Sequence, residues 1–159
     1  MKIGVVSDSH GNRFFLQKAI QKMSEVELIF HLGDLASDGY FISEKLKKPV
    51  VSVRGNCDFS LKAPAYQKIE VAGKSFFLTH GHLYHVQFGY DRLIYKAEEE
   101  QVDVALFGHT HMSMVFSEKG ILFMNPGSTV QPRGGRPRSI GILLIQEGKI
   151  IPSIVNIDE

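Results

Sequence analysis

Seven residues able to hold a metal recur along the chain in short polar clusters: Asp8 with His10, Asp34, Asn56, His80, and His109 with His111. Carboxylate oxygen, amide oxygen and imidazole nitrogen together suit first-row divalent ions. A glycine lies in or beside each cluster, at Gly11, Gly33, Gly55, Gly81 and Gly108. Glycine lets a backbone turn sharply and approach a site closely. One Gly-Asp or one His-x-His alone says little, because Asp also makes turns and His also caps strand ends. Five clusters, each following a short apolar run, form an ordered set. Gathered on one edge, these side chains would be costly to bury unless they shared a cation.

The elements that must position them follow from the apolar spacing. Ile3 to Val6 reads as a buried strand ending in Asp8-Ser9-His10-Gly11. Asn12 is the candidate N-cap of a helix running to about Ser24, with Phe15, Leu16, Ala19, Ile20 and Met23 on one face. Glu27 to His31 is the next strand, ending in Leu32-Gly33-Asp34. A short helix over Tyr40 to Leu46 precedes a third strand, Val50 to Val53, which ends at Arg54-Gly55-Asn56. This βαβαβ order implies parallel strands, and in open α/β sheets ligands bind at the carboxyl ends of such strands. From Pro64 the pattern changes to hairpins. Gln67 to Val71 pairs with Lys74 to Leu78, which leads into His80. A helix over Tyr90 to Gln101 precedes a strand, Val102 to Phe107, leading into His109. Met114 to Phe116 with Ile121 to Phe123, and Ser139 to Ile145 with Lys149 to Val155, complete the hairpins. Parallel and hairpin-linked strands together predict an α/β fold in which two mixed sheets pack face to face with helices on both outer faces.

The bulk composition is that of an ordinary globular domain: 159 residues, 43% hydrophobic and 22% charged. One domain over 1–159 is expected. A net charge of +1 offers no basis for stable nucleic-acid binding or a polybasic membrane patch. The single cysteine, Cys57, excludes an intramolecular disulfide and fits a reducing compartment. Ile3 to Val6 is far too short for a signal peptide, and no stretch has the length of a membrane span, so a cytoplasmic protein is expected.

In their order, D-x-H, G-D, G-N, H-G-H and G-H-T-H, the motifs resemble the signature of the calcineurin-like metallophosphoesterases, from Met1 to about Ser128. The compact length, Gly55-Asn56-Cys57-Asp58 and Asn125-Pro126-Gly127-Ser128 are similar to the small stand-alone prokaryotic phosphodiesterases of that family. The resemblance implies a four-layer αββα sandwich and two divalent ions, manganese foremost, with nickel, zinc, iron and cobalt as alternatives. By motif position Asp8, His10 and His111 would hold one ion, Asn56, His80 and His109 the other, and Asp34 would bridge them, giving one carboxylate oxygen to each. It further implies hydrolysis of a small phosphoester, foremost a phosphodiester, by a hydroxide held between the ions, with Asp34 and Asn56 at the reaction centre and a homo-oligomeric assembly. A retromer subunit of the same fold serves as a protein scaffold, which supplies the alternative expectation.

One position departs from many relatives, which place a histidine after the Gly-Asn to protonate the leaving group. Cys57 stands there, and a thiol is a weak hydrogen-bond donor. His82 is the candidate replacement, and it reads equally as a loop residue supporting a ligand. His31 is expected to bond backbone at its strand end. Asp58 either orients the Asn56 loop or caps it. Asn125 either holds the His109 loop or makes an ordinary turn. Cys57 is expected to pack, His85 to face solvent, and Phe14, Phe15, Phe76 and Phe77 to lie in the core. Arg133, Arg136 and Arg138 either reach a substrate phosphate, which arginine binds in bidentate fashion, or are solvated, and the solvated reading is the one expected. Tyr84, Phe88 and Tyr90 either wall a pocket or form a subunit interface.

Overall fold

Apolar residues in the strands alternate between two destinations, and that alternation stacks the layers. In β1 (Lys2–Val6), Ile3 and Val5 enter one core while Val6 enters another. In β2 (Leu28–His31), Leu28 and Phe30 enter the first and Ile29 the second. In β5 (Lys74–Thr79) and β6 (Val104–Leu106), Phe76, Leu78, Val104 and Leu106 meet the same first core, while Phe77 and Ala105 face a third. A period of two is what a strand buried on both faces requires. The first core is therefore the seam between two sheets.

The structure, a computed structural model, describes residues 1–59 and 62–159. One sheet has the order β10-β9-β1-β2-β3, with β3 at Val50–Ser52, β9 at Ser139–Gln146 and β10 at Lys149–Asn156. The other has the order β4-β5-β6-β8-β7, with β4 at Tyr66–Val71, β7 at Met114–Glu118 and β8 at Ile121–Asn125. Both are mixed: β1, β2 and β3 run parallel, as do β5, β6 and β8, while hairpin partners β10, β4 and β7 form the other edges and β3 forms a parallel one. Helices α1 (Arg13–Lys22) and α2 (Asp38–Leu46) cover the first sheet through Leu16, Ala19 and Ile42. Helix α3 (Asp91–Glu100) covers the second through Leu93 and Ala97. The four layers are those expected from the chain.

Asn12 caps α1 by accepting the Phe15 N–H, as its sequence position predicts. The helix stops at Lys22 rather than Ser24, and buried Met23 becomes its C-cap. Phe76 and Phe77 are fully buried and Phe15 partly so, but Phe14 is exposed. It lies edge-on to Phe15, outside the stripe that faces the sheet. Among the described residues no helix is long and apolar enough to cross a membrane. Five of the six parallel strands, three from one sheet and two from the other, bring the polar clusters to a common edge.

Candidate metal centre

The clusters meet where the carboxyl ends of the two parallel sets converge. Asp8 follows β1, Asp34 follows β2, Asn56 follows β3, His80 follows β5, and His109 and His111 follow β6. His111 Nε2 stands 3.2 Å from Asp8 Oδ1, and His80 Nε2 stands 3.7 Å from the same oxygen. His80 Nε2 is also 3.3 Å from Asp34 Oδ2, which lies 3.9 Å from His10 Nε2. His109 Nδ1 faces His80 Nε2 at 3.3 Å. Donor atoms of Asp8, His10 and His111 lie within 4.8 Å of one another, and so do those of Asp8, Asp34 and His80. Asn56 lines the mouth of the same cavity with His10, Asp34, His109 and His111. Residues spread over a hundred positions of chain thus share one site.

The backbone that makes this possible is unusual. Asp8, His10, Asp34, His109 and His111 all have φ between 45° and 72°. The left-handed region costs an L-residue roughly 1–2 kcal/mol, and such residues collect at functional sites where surrounding bonds impose them. Here the bonds are visible. Asp8 N–H donates to Gly33 O, and His10 N–H donates to Asp34 O, tying the first two loops together. Two glycines allow the closest approaches. A Cβ on Gly55 would overlap Asp34 Oδ1, and one on Gly108 would overlap Ser7 Oγ beside Asp8.

Outer partners set the orientation of each donor. His80 donates Nδ1–H to Leu32 O at 2.7 Å, and His111 donates Nδ1–H to Gln131 O at 2.8 Å. Both rings therefore present Nε2 inward, the usual role of a second hydrogen bond to a metal-binding imidazole. Asp8 Oδ2 accepts from Ser7 Oγ and from His109 N–H. Ser128 Oγ donates to Asp8 O and accepts the Val130 and Gln131 N–H groups. Asp58, left open as a cap or an orienter, accepts three backbone N–H groups, from Asp34, Ala36 and Gly55. It fixes the Asp34 and Asn56 loops together. Asn125 holds the histidine loop by donating to Gly108 O and Thr110 Oγ1.

A buried relay lies behind the first loops. His31 Nδ1 accepts the Gly33 N–H, so Nε2 carries the proton and donates to Ser9 Oγ. Ser9 in turn donates to Asp38 Oδ2, which also accepts the Gly11 N–H. His31 thus bonds backbone, as expected of it, and adds a link that the chain order hides. Ser7, Ser9, Asp38 and Ser128 were not read as site residues. An acidic residue in the first turn of a helix signals only the helix N-terminus, and serines one position from an Asp or His look like turn chemistry.

The charges show what the cluster lacks. Burial alone would raise the Asp8 carboxyl, but the His111 imidazole 3.2 Å away and the nearby His80 outweigh it and hold the group below its usual range. Burial likewise opposes Asp34, and hydrogen bonds from His80 and the Cys57 N–H hold it well below that range. For His80, burial works against the proton and Asp34 and Asp8 more than restore it, so its pKa is raised. The Asp8 carboxylate beside it raises His111 as well, with burial and Arg133 opposing. Burial and the nearby His80 lower His82 and His109. Asp8 Oδ1 is buried with no hydrogen-bond partner, and it points at two imidazole Nε2 atoms. An orphaned carboxylate oxygen among converging nitrogens fits a divalent cation, which suits a mixed oxygen and nitrogen set.

Some expectations change. Cys57 is exposed at the cavity rim and does not pack in a core. His82 stands beside His80 and His109, its ring centroid 5.4 Å and 6.2 Å from theirs, and among the described residues it is not one that lines the cavity. Its Nδ1 is buried without a partner. His85 is exposed, as expected. Phe88 is exposed beside a second cavity it lines with Tyr84, while Tyr90 packs on Phe107 and Phe116. The three arginines separate: Arg133 lines the metal-site cavity, Arg136 is exposed, and Arg138 stacks on Phe15 and pairs with Asp158 at 3.2 Å.

Comparison with known proteins agrees with this geometry. The phosphodiesterase YfcE of Escherichia coli is 32% identical over 168 residues, covering 90% of this chain and 87% of that protein. The crystal structure of a predicted phosphoesterase from Streptococcus pneumoniae superposes with a TM-score of 0.84 at 32% identity, covering 99% of this chain and 90% of the other. Vps29 of Entamoeba histolytica, crystallised with zinc, shares the fold at 20% identity with a TM-score of 0.77, covering 99% of both chains. The model of the calcineurin-like phosphoesterase superfamily domain matches residues 1–148, twenty residues beyond the last motif read from the sequence. With its sandwich, its strand-end loops and its convergent donors, the chain belongs to the calcineurin-like phosphoesterase superfamily.

Proposed function

We propose that residues 1–159 act as one metallophosphoesterase domain that hydrolyses phosphodiesters. The observation that carries this is the orphaned Asp8 Oδ1, aimed with Asp34 Oδ2 at the Nε2 atoms of His80 and His111. Asp8, His10 and His111 would hold one divalent ion and Asn56, His80 and His109 a second. Bound there, two such ions supply a hydroxide nucleophile near neutral pH and neutralise charge on the phosphoryl oxygens.

The chain's own residues do the rest. Asp34 Oδ1 accepts the Cys57 N–H, so Oδ2 is the oxygen facing both His80 and His10. With that orientation, Oδ2 is the Asp34 oxygen that would be offered to a bound ion. His80 and His111 are locked by Leu32 O and Gln131 O, so their donor atoms need no reorganisation when cations enter. The Asn56 carboxamide, with only a weak contact from its Nδ2 to Cys57 Sγ at 3.7 Å, is free to turn toward the site. His82, outside the cavity lining and with its pKa lowered, stands beside His80 and His109; as a proton donor to the leaving group it is poorly placed. Burial raises the Cys57 thiol, which makes it a weak acid too. The reading therefore favours diesters whose leaving group departs without a proton.

Hydrolysis of bis-p-nitrophenyl phosphate, measured with and without added manganese, tests this. Metal-dependent turnover that disappears in Asp34→Asn is the expected result. Absence of turnover with every divalent ion, alongside a stoichiometric protein partner retained by the same variant, would favour the scaffold reading that the shared Vps29 fold supplies.

A further inference from the structure

The cavity at the candidate ligands, about 500 Å³, is lined by His10, Asp34, Asn56, His109 and His111 together with Gln87, Met112, Gln131 and Arg133. That volume is in the range of small-molecule sites. Among the described residues that line it, Arg133 is the one side-chain cation apart from the histidines, and Asp34 the one carboxylate.

Arg133 is placed, not merely nearby. Its N–H donates to His111 O at 2.9 Å, and Gln131 O accepts from the His111 ring. Residues 131 and 133 thus hold the backbone and side chain of one ligand. Arg136 N–H donates to Arg133 O and closes the turn, and Gly134 and Gly135 have positive φ. The Ser128 hydroxyl anchors the start of the segment to Asp8 O. Among the described residues, no hydrogen bond or ion pair engages the Arg133 guanidinium, whereas Arg138, five positions on, is paired and stacked. An exposed arginine tied to a ligand loop, turned into a polar cavity and left unpaired, is arranged to receive an anion, which guanidinium binds in bidentate fashion.

Charge counting shows which anion. It rests on the reading given above of a site loaded with two divalent ions. Two such ions, the Asp8 and Asp34 carboxylates and a hydroxide leave one positive charge, which a diester phosphate cancels. The guanidinium remains uncompensated. We propose that Arg133 is a specificity-determining residue that binds a second phosphate of the substrate, so that phosphodiesters carrying a further phosphate group are preferred over simple monoanionic diesters.

The test compares thymidine 5′-(p-nitrophenyl phosphate) with the same ester bearing a 3′-phosphate, using the manganese-loaded full chain. The 3′-phosphorylated ester should show kcat/KM at least about tenfold higher, the factor that one charge-assisted hydrogen bond supplies. Arg133→Ala should remove the advantage through KM, leaving kcat and the unphosphorylated ester within about twofold, and Arg133→Lys should restore part of it. Arg136→Ala, on the same turn but outside the cavity, should change nothing. Calorimetric titration gives a readout independent of turnover: Arg133→Ala should weaken pyrophosphate about tenfold and inorganic phosphate little. Equal KM for the two esters in the parent, an equal loss on both esters in Arg133→Ala, or the same loss in Arg136→Ala would each overturn the proposal and leave phosphodiester hydrolysis standing. No hydrolysis of either ester with any divalent ion would remove both.

Discussion

The inner and outer parts of the metal centre are built by different means. On the inner side, Asp8 and His80 are wholly buried and His111 nearly so. Each has a hydrogen-bonded outer partner: Ser7, Leu32 O and Gln131 O. At the rim, His10, Asn56 and Cys57 are exposed. Among the described residues His10 makes no side-chain hydrogen bond and Asn56 only a weak one, to Cys57 Sγ, and Asp34, held by the Cys57 N–H, stands between the two parts. Most polar atoms of the buried groups bond within the protein, so folding sets their geometry and leaves Asp8 Oδ1 bare. Exposed ones exchange freely with water and can adjust as ions and substrate enter. On the proposed function, affinity for the ion would belong to the inner part, and access and substrate choice to the rim.

Substituting an inner donor should do most harm. Asp8→Asn and Asp34→Asn are each expected to lower manganese affinity and hydrolysis by more than about 100-fold, beyond the range found for outer partners of ligands. Metal content by elemental analysis together with bis-p-nitrophenyl phosphate turnover would read this. A variant that kept full metal content would show that burial had not selected these groups for binding.

The boundary between the two parts is probed next. Gly55→Ala places a methyl where Asp34 Oδ1 lies, and Asp58→Asn takes a charge from the carboxylate that gathers the Asp34, Ala36 and Gly55 N–H groups. Both should weaken metal binding by about 10- to 100-fold, with the fold kept as judged by circular dichroism. Loss of the fold without metal, but not with it, would show that these loops depend on the ion for their shape.

Acid–base behaviour separates the parts in the metal-free protein. His80 and His111 have raised pKa values, so their contribution to stability is complete below the ordinary imidazole value of 6.5 and is lost as pH rises through their folded values. His31, His82 and His109 are lowered, so their contribution is complete above 6.5 and is lost on acidification. Above pH 6.5 only the first pair changes. The metal-free Tm should therefore fall as pH rises from about 6.5 to 8.5, and saturating manganese should abolish the fall, since a bound ion needs those imidazoles unprotonated. A Tm flat over this range without metal would mean that the two protons do not stand in for cations.

The smallest effect is expected at the rim. Cys57→Ser should leave bis-p-nitrophenyl phosphate turnover within about twofold, because exposed positions seldom shift stability by more than about 0.5 kcal/mol and the backbone N–H that bonds Asp34 is kept. A tenfold loss would show that the thiol takes part in the reaction and that the rim is less permissive than the comparison holds.

Much of this molecule can be read from local pattern. Alternating Ile3, Val5, Leu28 and Phe30 predict strands buried on both faces, and parallel strands joined by helices send their carboxyl ends, with every candidate ligand, to one edge. Each of these inferences needs only neighbours a few residues apart. Nothing local shows that Asp8 Oδ1 would be left bare while Oδ2 is taken by Ser7 and His109 N–H, or that Asp34 would turn only Oδ2 inward. The Ser9, His31 and Asp38 relay, the three N–H groups on Asp58, the placing of His82 beside His80 and the parting of Arg133 from Arg138 are likewise tertiary. The physical reason is the range of the interactions. Periodicity and turn chemistry act along the chain and are written in adjacent residues, whereas the direction of a carboxylate or the freedom of a guanidinium depends on which atoms from distant loops arrive beside it once both sheets have packed.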